Sequence, residues 1–187
     1  LRAQAQALGV PHRDCTIGQP GSRWTWDGVR FELLHPAEAD RPRARRPNEL
    51  SCVLKVTDAA GRRLLLTGDI EAAQEALLLA RHGAEALRAE LLLVPHHGSR
   101  TSSTPDFVAA VAPRQALVQA GYRSRFGHPA PEVEARWLAA GARLVRSDRC
   151  GAWTWGDPAL QPAEAESGRC ERVHRRRYWH LQVAAPR

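Results

Sequence analysis

The stretch Leu91–Ser103, LLLVPHHGSRTSS, constrains this chain more than any other. An apolar run ends in Pro95, two adjacent histidines, a glycine and a hydroxyl-rich loop. Upstream, Leu64–Ile70 (LLLTGDI) is a second apolar run that ends on an acid, Asp69. Downstream, Arg125–Pro129 (RFGHP) sets His128 in a loop bracketed by glycine and proline. Three strand-like segments thus each deliver a metal-capable side chain just past a strand end. Hydrolytic metal sites are assembled in this way, from loops at one edge of a rigid sheet.

The 187 residues suit one compact domain, or a domain plus a tail. No stretch approaches the roughly 20 apolar residues needed to span a bilayer, and the amphipathic N-terminus has no signal-peptide core. The chain contains no methionine, even at position 1, and is expected to be a piece of something longer. Its net charge of +7 points toward a polyanion, nucleic acid first. Every basic residue but Lys55 is arginine, so compositional bias and selected phosphate binding are both open. Cys15, Cys52, Cys150 and Cys170 form no CxxC or CxxH pair, which argues against a zinc knuckle. Cys150 and Cys170 flank a loop, and free thiols or a pair in an oxidising compartment both fit.

Patterning predicts a helix to Leu8, a hairpin about Asp27-Gly28, and a polar, mobile loop over 36–47. A second hairpin, Leu50–Thr57 with Arg63–Thr67, follows. Helices are expected at Glu71–His82 (stopped by Gly83), Pro105–Val111 (Thr104 as N-cap) and Pro131–Ala140. Strands are expected at Leu91–Val94, buried on both faces, and at Ala116–Gln119, Arg143–Arg146 and Gly151–Trp155. Hairpins followed by strand–helix alternation indicate an α/β protein with a mixed sheet. The domain is expected to span 1–156. A basic tail, 157–187, carries His174, Arg175–Arg177, Tyr178, Trp179 and His180. That interleaving suits a single-stranded nucleic-acid surface or a tail docked on the body.

Among the candidate residues, Asp69 is a metal ligand or a helix cap. His96 and His97 diverge at a strand end, so one enters a site while the other supports it or holds a second metal. Ser99, Arg100, Ser102 and Ser103, with Arg123 and Arg125 beside His128, offer phosphate contacts. His128 alone would pass for a turn residue. His12 and His82 read as solvated, and His35 as a strand-end residue without further support.

Taken together, residues 18–36, 48–56, 64–75, 91–103, 119–129 and 150–155 resemble the metallo-β-lactamase-like domain of the ComEC family of DNA-uptake channels. HHGS with an upstream TGD and a downstream GHP carries the resemblance. It implies the C-terminal portion of an αββα sandwich, attached to a polytopic membrane channel on the outer face of the inner membrane. The implied activity is metal-dependent hydrolysis of the DNA strand that is not imported. The implied partners are single-stranded DNA, the channel part of the same polypeptide and other competence proteins. Asp69 and His97 would be catalytic, and Asp69, His96, His97 and His128 would ligate two Mn or Zn ions. The superfamily's HxHxDH-type motif does not occur in residues 1–187, and Asn48 stands where many members carry a histidine. The chain alone is therefore expected to be inactive, with an exposed edge and a tendency to self-associate. A non-catalytic DNA-guiding module of the same fold is the alternative.

Overall fold

The computed structural model describes residues 2–10, 15–156 and 167–177. A short helix, α1 (Arg2–Ala7), precedes seven strands that form one sheet in chain order: β1 (Arg23–Trp26), β2 (Val29–His35), β3 (Val53–Thr57), β4 (Arg63–Leu66), β5 (Leu91–Leu93), β6 (Gln115–Val118) and β7 (Arg143–Arg146). β1 to β4 are antiparallel, and β4 to β7 are parallel. Three helices make the parallel crossovers: α2 (Ala72–Leu87), α3 (Pro105–Val111) and α4 (Pro131–Ala139). The mixed α/β architecture is as the sequence implies.

Local chemistry accounts for the turns. Asp27 and Gly28 both take positive φ, 51° and 74°, as a two-residue hairpin with Trp26 opposite Val29 requires. Gly83 does not end α2: it kinks the chain at φ 75°, and helix resumes to Leu87. His82 is not solvated but half-buried, its Nε2 2.8 Å from the Leu34 carbonyl, tying α2 to β2. The proline-punctuated loop after β2 holds a 3-10 helix, Glu38–Arg43, pinned where Arg81 of α2 grips Asp40 through two bonds of 2.8 and 3.0 Å.

The core lies on one face of the sheet. Register places Leu65, Leu92 and Ala116 side by side, each fully buried under Leu78, Phe107, Val111, Val133 and Trp137 of the helices. Burying such side chains contributes about 1.5–3 kcal/mol apiece. The opposite face carries Leu66, Leu93 and Leu117, which are only partly buried. In β5 itself Leu92 is buried on the core face and Leu91 on the opposite face, so the expectation of cover on both faces holds for Leu91 and lapses only at Leu93. At the β1 edge Trp24 stacks on Phe31 at 4.9 Å, and Trp26 is 74% exposed.

The remaining described residues form α5 (Ser147–Cys150), β8 (Trp153–Thr154), β9 (Arg169–Cys170) and α6 (Glu171–His174). Part of the expected tail is thus folded: β9 pairs with β8, and Arg143 bonds the Ser167 carbonyl at 2.8 Å. Tyr178, Trp179, His180 and His12 lie outside the described residues. The free-thiol reading of the cysteines is corrected, because Cys15 bonds Cys52 and Cys150 bonds Cys170.

Candidate functional site

The carboxyl ends of β4, β5 and β6 lie at one edge of the sheet, where ligand sites of open α/β sheets form. β4 runs into Thr67-Gly68-Asp69 and β5 into a tight turn, Pro95–Gly98. Backbone bonds join these loops: His96 N–H donates to the Gly68 carbonyl at 3.0 Å and Ala72 N–H to the Thr101 carbonyl at 2.8 Å. Thr67 Oγ1 donates to the Leu93 carbonyl at 2.7 Å, and Asp69 N–H to Ser51 Oγ at 3.2 Å.

His96 and His97 both adopt left-handed backbone conformations, φ 47° and 56°. For non-glycine residues this costs about 1–3 kcal/mol each, a strain concentrated at functional sites. Its result is to aim two successive imidazoles across the strand ends. His97 Nδ1 lies 2.9 Å from the Gln119 carbonyl, which only accepts, so the ring proton sits on Nδ1. Its Nε2 then faces Asp69, 3.5 Å from Oδ1. His96 Nδ1 is 3.3 Å from both Glu71 Oε1 and Thr101 Oγ1, so its Nε2 is likewise left outward. Imidazoles that ligate metals are oriented in this way, by a carbonyl or carboxylate on the far nitrogen.

His128 arrives from the loop after β6, its ring 6.1 Å from that of His96. Its Nδ1 is buried with no hydrogen-bond partner among the described residues. Burial, with the neighbouring His96 and His97, holds its pKa below the usual histidine value and keeps a lone pair available. The structure thus places the four candidate ligands at one sheet edge, Asp69 beside His97 and His96 beside His128. The donor set, three imidazoles and a carboxylate, is of the kind that Zn²⁺ or Mn²⁺ takes. Among the described residues the donors stand in neighbouring pairs, and no three enclose a single point.

Of the expected phosphate contacts, Arg100 is exposed at Glu132, 2.8 Å away. Arg123 and Arg125 lie exposed over Tyr122 and Phe126. Ser99 is nearly buried, its hydroxyl 3.1 Å from Thr101 Oγ1. Ser102 and Ser103 are buried and turned inward, which corrects the reading that they contact phosphate. Ser102 Oγ donates to the Pro95 and Ser99 carbonyls, and Ser103 Oγ accepts from Trp137 Nε1 at 3.2 Å. They brace the loop.

Sequence reasoning missed two carboxylates. Glu71, read only as a helix-start acid, orients His96 and is itself held by Arg46 at 3.0 Å. Glu75 is fully buried and accepts the Ser103 and Thr104 N–H groups at 2.5 and 2.7 Å. Its bonds fix the two residues that lead into α3, while the expected Thr104 side-chain cap bond is not made. Burial raises the Glu75 carboxyl above its ordinary pKa, against the pull of those two donors. His35 is fully buried, with Nε2 2.9 Å from the Glu49 carbonyl, and serves structure rather than the site.

No protein-family model matches the chain. It is 38% identical over 162 residues to competence protein ComA of Neisseria gonorrhoeae, covering 81% of this chain and 23% of that protein. It is 31% identical over 123 residues to ComE operon protein 3 of Bacillus subtilis, 66% of this chain and 15% of that one. Recombination protein 2 of Haemophilus influenzae matches at 35% over 107 residues, 57% of this chain and 12% of that one. This chain has competence proteins among its homologues. It spans less than a quarter of the length of each. None of its described helices is long and apolar enough to cross a membrane.

Proposed function

We propose that this chain is part of the metal-dependent nuclease domain of a DNA-uptake membrane protein, acting on phosphodiesters of the strand that is not imported. The observation that carries the reading is His97, its Nδ1 held by the Gln119 carbonyl and its Nε2 facing Asp69, beside His96 and His128. The names of the relatives support DNA uptake as the setting. Asp69, His96, His97 and His128 would hold divalent ions, Mn or Zn. Such ions supply a hydroxide nucleophile at neutral pH and offset charge developing on the phosphate. The chain's own residues orient the imidazoles, through Gln119 and Glu71, and keep His128 neutral.

Further ligands are proposed to lie outside residues 1–187, so that the chain alone holds metal weakly and does not cut. Two disulfides fit an oxidising compartment and support placement on the periplasmic or extracellular side of the inner membrane, anchored by the rest of the protein. The second reading, a DNA-guiding module without catalysis, draws on the +7 charge and the exposed arginines beside the site.

The test is metal content and cleavage of single-stranded DNA with Mn²⁺. This chain is compared with a form extended N-terminally along the native protein, and with the extended form carrying Asp69→Ala. Metal uptake and cleavage by the extended form, abolished by Asp69→Ala, support the nuclease. An extended form that binds DNA without holding metal or cutting identifies the guiding module.

A further inference from the structure

Two cavities flank the histidine cluster. One, of 530 Å³, is lined by Arg43, Arg45 and Arg46, by Glu71 and the start of α2, and by Thr101. Arg46 is committed to Glu49 and Glu71. Arg43 and Arg45 are exposed, and their guanidinium groups form no ion pair with a described residue. The other cavity, of 260 Å³, is lined by Ser99, Arg100, Phe126, His128 and Pro131. Phe126 is 66% exposed, its ring 5.9 Å from and nearly parallel to that of His128. The Arg125 guanidinium lies 4.8 Å from the Phe126 ring, and Arg123 lies 5.3 Å from that of Tyr122.

Side chains of the site link the linings of the two cavities. Thr101 lines the first and touches His96, and the His96 ring neighbours that of His128, which lines the second. One end therefore offers cations for phosphates, and the other an exposed aromatic ring for a base.

We propose that a single nucleic-acid strand lies across the site, its backbone phosphates against Arg43 and Arg45 on one side and an unpaired base stacked on Phe126 on the other. A duplex keeps the faces of its bases occupied, whereas a single strand presents them, so an exposed ring beside guanidinium groups selects single strands. Each arginine contact displaces counterions from the strand and makes binding salt-dependent. The proposal deepens the nucleic-acid reading above and rests on it.

The test is fluorescence anisotropy in EDTA, with a short oligothymidylate, an abasic oligomer of equal length and a duplex as probes. Arg43→Ala/Arg45→Ala is expected to weaken both single strands and to reduce the salt slope by about 1.4, two contacts at about 0.7 each. Phe126→Ala is expected to weaken oligothymidylate binding about five- to hundredfold and to leave the abasic oligomer unchanged. Arg30→Ala, at the opposite edge of the sheet, changes neither. An unchanged salt slope, equal effects of Phe126→Ala on both oligomers, preference for duplex, or no binding at all overturns the proposal. Because no metal is present, a protein that binds as expected but whose extended form never cuts sinks the nuclease reading and leaves the strand path standing.

Discussion

Gly98 lies so close to Pro129 that a Cβ added at position 98 would stand 2.6 Å from the proline Cβ. The same glycine accepts the Ala130 N–H at 2.9 Å and has φ 79°. This contact holds the loop bearing His96 and His97 against the loop bearing His128, loops that leave different strands. The pairing of imidazoles across the site depends on a missing side chain.

Gly98→Ala is therefore expected to destabilise the fold by about 2–4 kcal/mol, combining overpacking with a disfavoured backbone. It is also expected to move His128 away from His96. Urea denaturation measures the first effect, and a rise of the His128 pKa toward the ordinary histidine value, read by NMR, measures the second. A variant as stable as the parent, with the His128 pKa unmoved, would show that the loops are held by other contacts.

Asp69 is 40% exposed, and its backbone rather than its carboxylate makes the local bond to Ser51. Asp69→Asn should change stability by no more than about 0.5 kcal/mol. In the N-terminally extended protein it should lower metal affinity on the order of tenfold or more. Equilibrium dialysis followed by elemental analysis reads the outcome. Unchanged metal content excludes Asp69 as a ligand.

Glu75 satisfies two backbone N–H groups that nothing else in the described structure reaches. Replacing it by alanine leaves both unsatisfied in a buried site, at a cost of about 2–4 kcal/mol. A drop in the urea midpoint with an unchanged slope is the expected result. A cost below about 1 kcal/mol would mean that water replaces the carboxylate.

Burial holds the His35 pKa below its unfolded value of 6.5, with Arg81 and His82 acting in the same direction and the Glu49 carbonyl and Asp40 opposing them. The unfolded chain thus binds more protons than the folded one between the two pKa values, and stability rises with pH there. The contribution is full above about pH 6.5 and is lost as pH falls below it, by at most about 1.4 kcal/mol per pH unit. The stability difference between the parent and His35→Asn should accordingly shrink as pH falls from 7.5 to 5, measured by urea titration at each pH. A difference that stays constant over that range would show that the His35 pKa does not change on folding.

The disulfides span sequence separations of 37 and 20 residues. By loop-closure entropy each is expected to stabilise by about 3–4 kcal/mol. Cys15→Ser/Cys52→Ser and Cys150→Ser/Cys170→Ser should each lower Tm, and a reductant should act on the parent but not on the fourfold variant. Insensitivity of the parent to reductant would contradict the pairings.

The sequence by itself determined the strands of the main sheet, the helices between them, and the three loops that carry the candidate ligands, because these depend on local patterns. Pro105–Val111 and Arg143–Arg146 match their expected bounds residue for residue, since proline and β-branched residues act over a few positions. Asp69, His96, His97 and His128 were legible as strand-end residues in Gly/Pro-bracketed loops. Tertiary structure decided what each of them touches. The proton on His97 Nδ1 depends on a carbonyl 22 residues away, and the orientation of His96 on Glu71, 25 residues upstream. Ser102 and Ser103 read as phosphate contacts because hydroxyls in a loop look alike in sequence. Packing against Glu75 and Trp137 turned Ser103 inward, and the Pro95 and Ser99 carbonyls took the Ser102 hydroxyl. The Cys15–Cys52 pairing was hidden for the same reason, because it joins segments brought together only when the sheet has formed, whereas Cys150–Cys170 closes a short loop and was one of the two readings open. Local sequence specifies local conformation, whereas a hydrogen-bond partner is set by whichever distant segment the core places within 3 Å.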